Sequence, residues 1–359
     1  MQLRTAASTS QDPAIRGREL GTAFAPQFQR TAALYLAHFA ELGMPADEVR
    51  GIAERSGAAL AVWAPDLAAE ADAIADAARL DRWRLAAVGA RTEILAAAPP
   101  GTEGECSTAV HVGAGQAAES IQTWDWHDFL VPEGLLWAFS SGAGLEVKLF
   151  TEFGTAAKIG VNSAGLGLHF NILSHASDSD EGGVPVHAVA RRILDEARSI
   201  ADARRITEGA TVSASTVLTV FETVPGAGGS RAASLELSPA GLGVVEPGAD
   251  GWLFHTNHFL DDALFAGDTM PADSTTLERF AHLDAVRGDL AGLDPTARAL
   301  AVCGGLGADA AVCMTPDPAL PRVDQWATLL TISVDTAGFG LDVFPGRPDE
   351  AAAAGLTRF

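Results

Sequence analysis

The hydrophobic pattern of this chain changes period at Pro99-Pro100-Gly101, and that change limits what it can fold into. Before the break, Leu20, Phe24, Phe28, Leu34, Leu36 and Phe39 recur at helical spacing and predict a long amphipathic helix from about 14 to 42, ending at Gly43. Pro45-Ala46-Asp47-Glu48 opens a second helix, and Ala- and Arg-rich stretches at 67–78 and 81–97 predict two more. After the break, short alternating segments predict strands at 106–112, 120–126, 134–140, 145–150, 157–161 and 166–172, separated by Gly-rich turns. A helix over 186–206 starts at Pro185; strands at 215–223, 232–237 and 242–246 follow it. A helix over 275–290 after the capping candidate Ser274, two strands at 328–335 and 338–344, and a Gly346-Arg347-Pro348 turn close the chain. Helices first and then blocks of closely spaced strands predict an α+β fold in which antiparallel sheets are covered by helices.

Composition narrows the function. Lys plus Arg is 24 against 46 for Asp plus Glu, a formal net charge of −22, and no basic run interrupts the excess. That balance argues against nucleic acid and against an anionic membrane as partners. Three cysteines, Cys106, Cys303 and Cys313, are too few for a disulfide framework, and no Cys-x-x-Cys pair points to zinc. The opening Met1-Gln2-Leu3-Arg4-Thr5 leads into polar residues and no apolar run reaches spanning length, so the expectation is a cytoplasmic protein.

Cys106 carries the chemistry. It follows Ala96-Ala97-Ala98-Pro99-Pro100-Gly101-Thr102-Glu103-Gly104-Glu105 and begins an alternating, β-branched segment. A thiol at the first residue of a strand, behind a connector, is where a cut between Glu105 and Cys106 would leave cysteine as a new N-terminus. Its own α-amine, with an ordinary pKa of about 7.7 to 8.0, would then serve as the base. The competing reading is a lone buried thiol that acts as a small hydrophobe. Trp124-Asp125-Trp126-His127 places a carboxylate between large aromatics on a strand expected to pair with that of Cys106. Lys158 to Gly165 reads as a Gly-rich hairpin without a phosphate-loop signature. His255-Thr256-Asn257-His258 lacks a third ligand at good spacing for a metal, whereas the amide of Asn257 suits an oxyanion.

These pieces occur in an order that resembles one family. Cys106-Ser107-Thr108, Trp124-Asp125, Lys158 to Gly165, Gly183-Val184-Pro185-Val186-His187 and His255-Thr256-Asn257-His258-Phe259 are similar to the motifs of the acyl-coenzyme A:6-aminopenicillanate acyltransferase family of N-terminal-nucleophile hydrolases. The early stretch from Pro13 to Gly21 and the late Gly346-Arg347-Pro348 extend the likeness over nearly the whole chain. The resemblance implies a four-layer αββα sandwich of two antiparallel sheets flanked by helices, made as one precursor domain over 1–359. Self-cleavage would give a mostly helical chain 1–105 and a chain 106–359 that carries the nucleophile.

Residue by residue, the resemblance makes Cys106 the nucleophile, Asn257 the oxyanion donor, Asp125 an anchor beside it and Thr108 a neighbour of the thiol; Trp124, Trp126, His127 and His255 are candidates for substrate contact. Glu105 stands where the penicillin enzymes have glycine, and Asp324-Gln325 where they have Ser-Arg. The expected activity is hydrolysis of a linear, non-peptide or aminoacyl C–N bond through a thioester, with no cofactor and no metal. Acyl transfer to an amine is the alternative, and an uncleaved binding protein on the same scaffold is the rival of another class. The expected partners are a small-molecule amide and the two processed chains, with homo-oligomerisation left open.

Overall fold

The computed structural model describes residues 1–98, 105–224, 228–271 and 274–359. Six helices fill the part before the break: α1 (Pro13–Ala23), α2 (Ala25–Glu41), α3 (Ala46–Trp63), α4 (Pro65–Ala77), α5 (Arg82–Gly89) and α6 (Arg91–Leu95). The single helix expected over 14–42 is two helices. Pro26 has no N–H for the carbonyl of Thr22 and its ring crowds that turn, so the chain breaks at Phe24 (φ −124°) and restarts with proline in the first turn of α2. Gly17 and Gly21 let α1 lie directly on α4; a Cβ at either would collide with a backbone oxygen, that of Glu70 or that of Ile74.

Fourteen strands form two sheets among the described residues. The first contains β1 (Gln2–Ser8), β4 (Glu133–Ser140), β5 (Glu146–Glu152), β6 (Ile159–Asn162), β7 (Leu166–Ile172), β8 (Thr216–Val224), β9 (Gly229–Ser238) and β10 (Gly241–Val245), in that spatial order. The second runs β11 (Trp252–His255), β2 (Cys106–His111), β3 (Glu119–Trp126), β12 (Ala327–Asp335), β13 (Gly340–Phe344) and β14 (Thr357–Arg358). The sheets are antiparallel except at one edge. There β1, which the sequence pattern did not predict, lies parallel to β4, Gln2 opposite Glu133 and Ser8 opposite Phe139.

The two sheets face one another and share a buried cluster that includes Val110, Trp124, Trp126 and Ile332 of the second with Leu149, Val161, Leu168 and Val220 of the first. Helices α7 (Val186–Glu196) and α8 (Ile200–Glu208) pack with α1–α6 against the first sheet. They replace the one helix expected over 186–206, because Ala197 is extended and the Ser199 side chain caps a new start by accepting from Asp202 N. Helices α9 (Asp262–Phe265), α10 (Thr276–Val286), α11 (Pro295–Ala301) and α12 (Pro348–Ala354) complete the set. On the outer face of the second sheet Ala109, Ile121, Trp252 and Phe254 pack on Leu283, Val286, Ala299 and Ala351 of α10–α12. The result is the four-layer αββα arrangement, with β2 next to the edge strand β11 in the second sheet and α10 across its outer side.

Candidate active site

Cys106 is the first residue of β2 and pairs with Trp124 of β3, while Thr108 pairs with Gln122 on one side and with His255 of β11 on the other. Strand alternation turns Cys106, Thr108 and Val110 toward the first sheet and Ser107 and Ala109 toward α10. The contacts agree: Thr108 Oγ1 donates to Asn171 Oδ1 of β7 at 2.7 Å, and Ser107 Oγ accepts from Arg279 Nη1 of α10 at 3.1 Å.

The peptide bond between Glu105 and Cys106 is held on both sides. The Glu105 carbonyl accepts from the Asp125 backbone N–H at 2.8 Å. The Cys106 N–H donates to Asn257 Oδ1 at 2.8 Å, and Arg279 Nη2 donates to the same oxygen at 3.0 Å. The Cys106 carbonyl accepts from Arg279 Nη1 at 2.5 Å and from Asn171 Nδ2 at 3.3 Å. The thiol is 2% exposed, so it is shut away from solvent in the continuous chain.

The surrounding charges are unusual for a core. Burial pushes the Cys106 thiol up to about 12, against the pull of Lys158, with Asp125 adding to the rise. Burial raises the Asp125 carboxyl to about 7, partly offset by Arg279 and by the Thr328 hydroxyl, which donates to Oδ1 at 2.6 Å. Lys158, 1% exposed and 3.5 Å from Glu152 Oε1, falls to about 7 through burial and the nearby Arg91. Its ammonium sits 4.5 Å over the Trp124 ring and 5.2 Å from that of Phe170. Behind it Glu152 also takes Arg91 Nη2 at 2.9 Å and the Tyr35 hydroxyl, to which Trp126 Nε1 donates at 3.0 Å.

A cavity of about 390 Å³ opens beside the Glu105–Cys106 bond, with Glu105, Ile172, Asn257, Thr275, Met314 and Trp326 in its wall. Cys106, Asp125, Asn257 and Thr108 are therefore brought together. Of the four residues expected to contact substrate, Trp124 pairs directly with Cys106 across β2 and β3. Trp124 and Trp126 are buried in the layer between the sheets, and His127 stacks on Trp326 with its Nδ1 on Gln325 O. His255 is buried against Glu236 Oε1 at 2.7 Å. None of the four lines the cavity; its aromatic wall is Trp326. Asn257 faces Cys106 with its carbonyl oxygen, while its NH2 donates to Ile172 O at 2.9 Å. Among the described residues no group of three or more His, Cys, Asp or Glu is placed to hold a metal ion, and no helix is long and apolar enough to cross a membrane.

Four residues of this centre were given no role by the sequence pattern: Arg279, Gln122, Asn171 and Lys158. Gln122 Nε2 donates to Thr108 Oγ1, Phe170 O and Asn171 Oδ1 within 3.0 Å, which ties β3 to β7 below Cys106. For Asn171 and Gln122 the available signal was a polar residue inside an otherwise apolar strand, which demands a buried partner. Arg279 follows Thr275 by one helical turn and accordingly donates Nε to Thr275 Oγ1 at 2.9 Å.

Residues 121–287 match the model of the acyl-coenzyme A:6-aminopenicillanic acid acyl-transferase family. This is the family that the sequence motifs resemble. A curated relative, the 40 kDa form of acyl-coenzyme A:6-aminopenicillanic-acid-acyltransferase from Emericella nidulans, is 29% identical over 154 residues, which are 43% of this chain and 41% of that protein. The matched stretch thus spans less than half of either. Of the solved structures, penicillin V acylase from Agrobacterium tumefaciens is 15% identical over 67% of this chain and 83% of that one, with a TM-score of 0.42. A mutant form of conjugated bile acid hydrolase from Clostridium perfringens is 10% identical over 70% and 92%, with a TM-score of 0.45. The family match covers β3 through α10 and includes Asp125, Lys158, Asn171, Asn257 and Arg279; Cys106 lies ahead of it.

Proposed function

We propose that the chain is a self-processing cysteine amidase whose nucleophile is Cys106. One observation carries the proposal: the Glu105–Cys106 peptide is gripped at its carbonyl by Asp125 N and at its nitrogen by Asn257 Oδ1, directly beside the thiol. In the precursor the sulfur attacks the Glu105 carbonyl carbon, an S–C bond forms, the C–N bond breaks, and the thiol proton ends on the freed nitrogen. Water then splits the thioester and returns the thiol. Before this cut no free amine exists at Cys106, and the charge of the buried Lys158 opposes the rise of the thiol and so favours the attacking thiolate. Afterwards the α-amine of Cys106 takes the thiol proton, with Asn257 Oδ1 still beside it.

Turnover repeats the same steps on an external amide: sulfur attacks the acyl carbon, the amine leaves with the proton, and water releases the acid. The family description favours a second fate for the thioester, in which an amine replaces water. Product analysis of processed protein with and without added amine distinguishes hydrolysis from transfer. The test of the reading itself is a screen of acyl anilides with processed wild type and Cys106→Ala; cleavage by the variant at the wild-type rate would refute it.

A further inference from the structure

The side chain of Glu105 occupies a built carboxylate site. Its oxygens accept from Ser274 Oγ and Thr275 N at 2.9 Å each and from Thr275 Oγ1 at 2.5 Å, and lie 3.4 Å from Arg279 Nη2. Burial alone would raise this carboxyl; Arg279 and the Thr275 and Ser274 hydrogen bonds outweigh it and hold the group below the usual carboxylate range. Arg279 is fully buried and is fixed independently of Glu105 by Cys106 O, Ser107 Oγ, Asn257 Oδ1 and Thr275 Oγ1. The guanidinium therefore stays in place if Glu105 withdraws.

Processing makes that withdrawal chemically meaningful. In the first reaction Glu105 is the acyl group that Cys106 attacks, so its side chain marks where the acyl half of a later substrate extends from the sulfur. Four carbons follow the attacked carbonyl carbon in Glu105, and the last is the carboxylate, which is the skeleton of a glutaric half-amide. We infer that the cavity beside Cys106 takes amides of a five-carbon dicarboxylic acid, glutaryl or α-glutamyl, with the distal carboxylate on Ser274, Thr275 and Arg279 in place of Glu105. This rests on the amidase reading. In the balanced step the glutaryl amide gives a glutaryl thioester on Cys106 and a free amine that carries the thiol proton; water then gives glutarate and the thiol. The amine half faces the wall formed by Ile172, Met314 and Trp326.

The test has two arms, one of which needs no activity. In the full chain carrying Glu105→Ala, glutarate raises Tm by about 2 °C or more at millimolar concentration, whereas the uncharged glutaramide does not. Adding Ser274→Ala removes most of that shift. Equal stabilisation by glutarate and glutaramide overturns the carboxylate site. In processed wild type, kcat/KM for glutaryl p-nitroanilide exceeds that for pentanoyl p-nitroanilide by roughly tenfold or more, the usual effect of a charged hydrogen-bonding group. A pentanoyl substrate cleaved as fast as the glutaryl one overturns the assignment. If no anilide is cleaved and glutarate still selectively stabilises Glu105→Ala, the carboxylate site stands and the amidase reading is what fails.

Discussion

The backbone N–H of Cys106 reaches Oδ1 of Asn257 at 2.8 Å, joining positions 151 residues apart. That oxygen also receives Arg279 Nη2, so the amide is oriented with its NH2 away from the Cys106 nitrogen. An acceptor at this point fixes the peptide nitrogen before cleavage and would hold an amine after it.

Asn257→Ala removes the acceptor and should slow processing roughly tenfold to a hundredfold, the rate equivalent of one lost buried hydrogen bond. Asn257→Asp keeps an oxygen toward Cys106 and loses the donor to Ile172 O, so it should process faster than the alanine variant. Equal impairment of both, followed by gel densitometry over time, would instead assign the NH2 to an oxyanion.

The three cysteines should separate cleanly. Cys303 and Cys313 are buried with their sulfurs 3.9 Å apart, on the outer side of the second sheet and in a different cluster from Cys106. Replacing either by alanine should cost stability, on the order of 1–3 kcal/mol by the usual scale for a core truncation, and leave processing and turnover intact. Cys106→Ala should abolish both activities, and Cys106→Ser should weaken both, because a hydroxyl is far less ionised than a thiol near neutral pH. Denaturant melts beside anilide assays check the contrast.

Lys158 holds the Cys106 thiol below the value that burial alone would give. Lys158→Met keeps the volume over Trp124 and removes the charge, so the thiol should ionise at higher pH. The pH profile of processing, followed by intact mass over time, should shift to higher pH in the variant; an unchanged profile would show that Lys158 does not act on the sulfur.

Asp125 gives a stability prediction with a definite sign. A carboxyl raised by burial from its ordinary value to about 7 adds stability below its unfolded pKa and loses it as pH rises through about 7. Asp125→Asn stays neutral and can still accept from the Thr328 hydroxyl. The stability of this variant relative to wild type should therefore increase between pH 5 and about 8, as read by urea melts at each pH. A difference that is flat across this range would mean that the carboxylate is compensated when ionised.

The sequence pattern was most legible where a single physical signal dominated. Six strands after the break, the pairing of the Cys106 strand with the strand of Asp125 and the antiparallel run from β4 to β10 follow from alternation and turn residues. β1 escaped because an edge strand at the chain start is half exposed and its parallel partner lies some 130 residues on, which no local pattern encodes. The breaks at Phe24 and Ala197 were decided by proline and by a cap within otherwise helical spacing. In the site, motif residues led to Asp125 and Asn257, but Arg279 is one arginine on an amphipathic helix, and only the layer packing brings it against the Cys106 carbonyl. For the aromatic residues beside Asp125, alternation says that Trp124 and Trp126 share a face, and that face is the one between the sheets.

The intact mass of freshly purified full-length protein tests the central claim most directly. Two species, whose masses correspond to residues 1–105 and 106–359, are expected from the wild type, and one uncut species from Cys106→Ala. A single uncut wild-type chain that hydrolyses amides would contradict it, because the nucleophile would then be working without the amine that cleavage is meant to release.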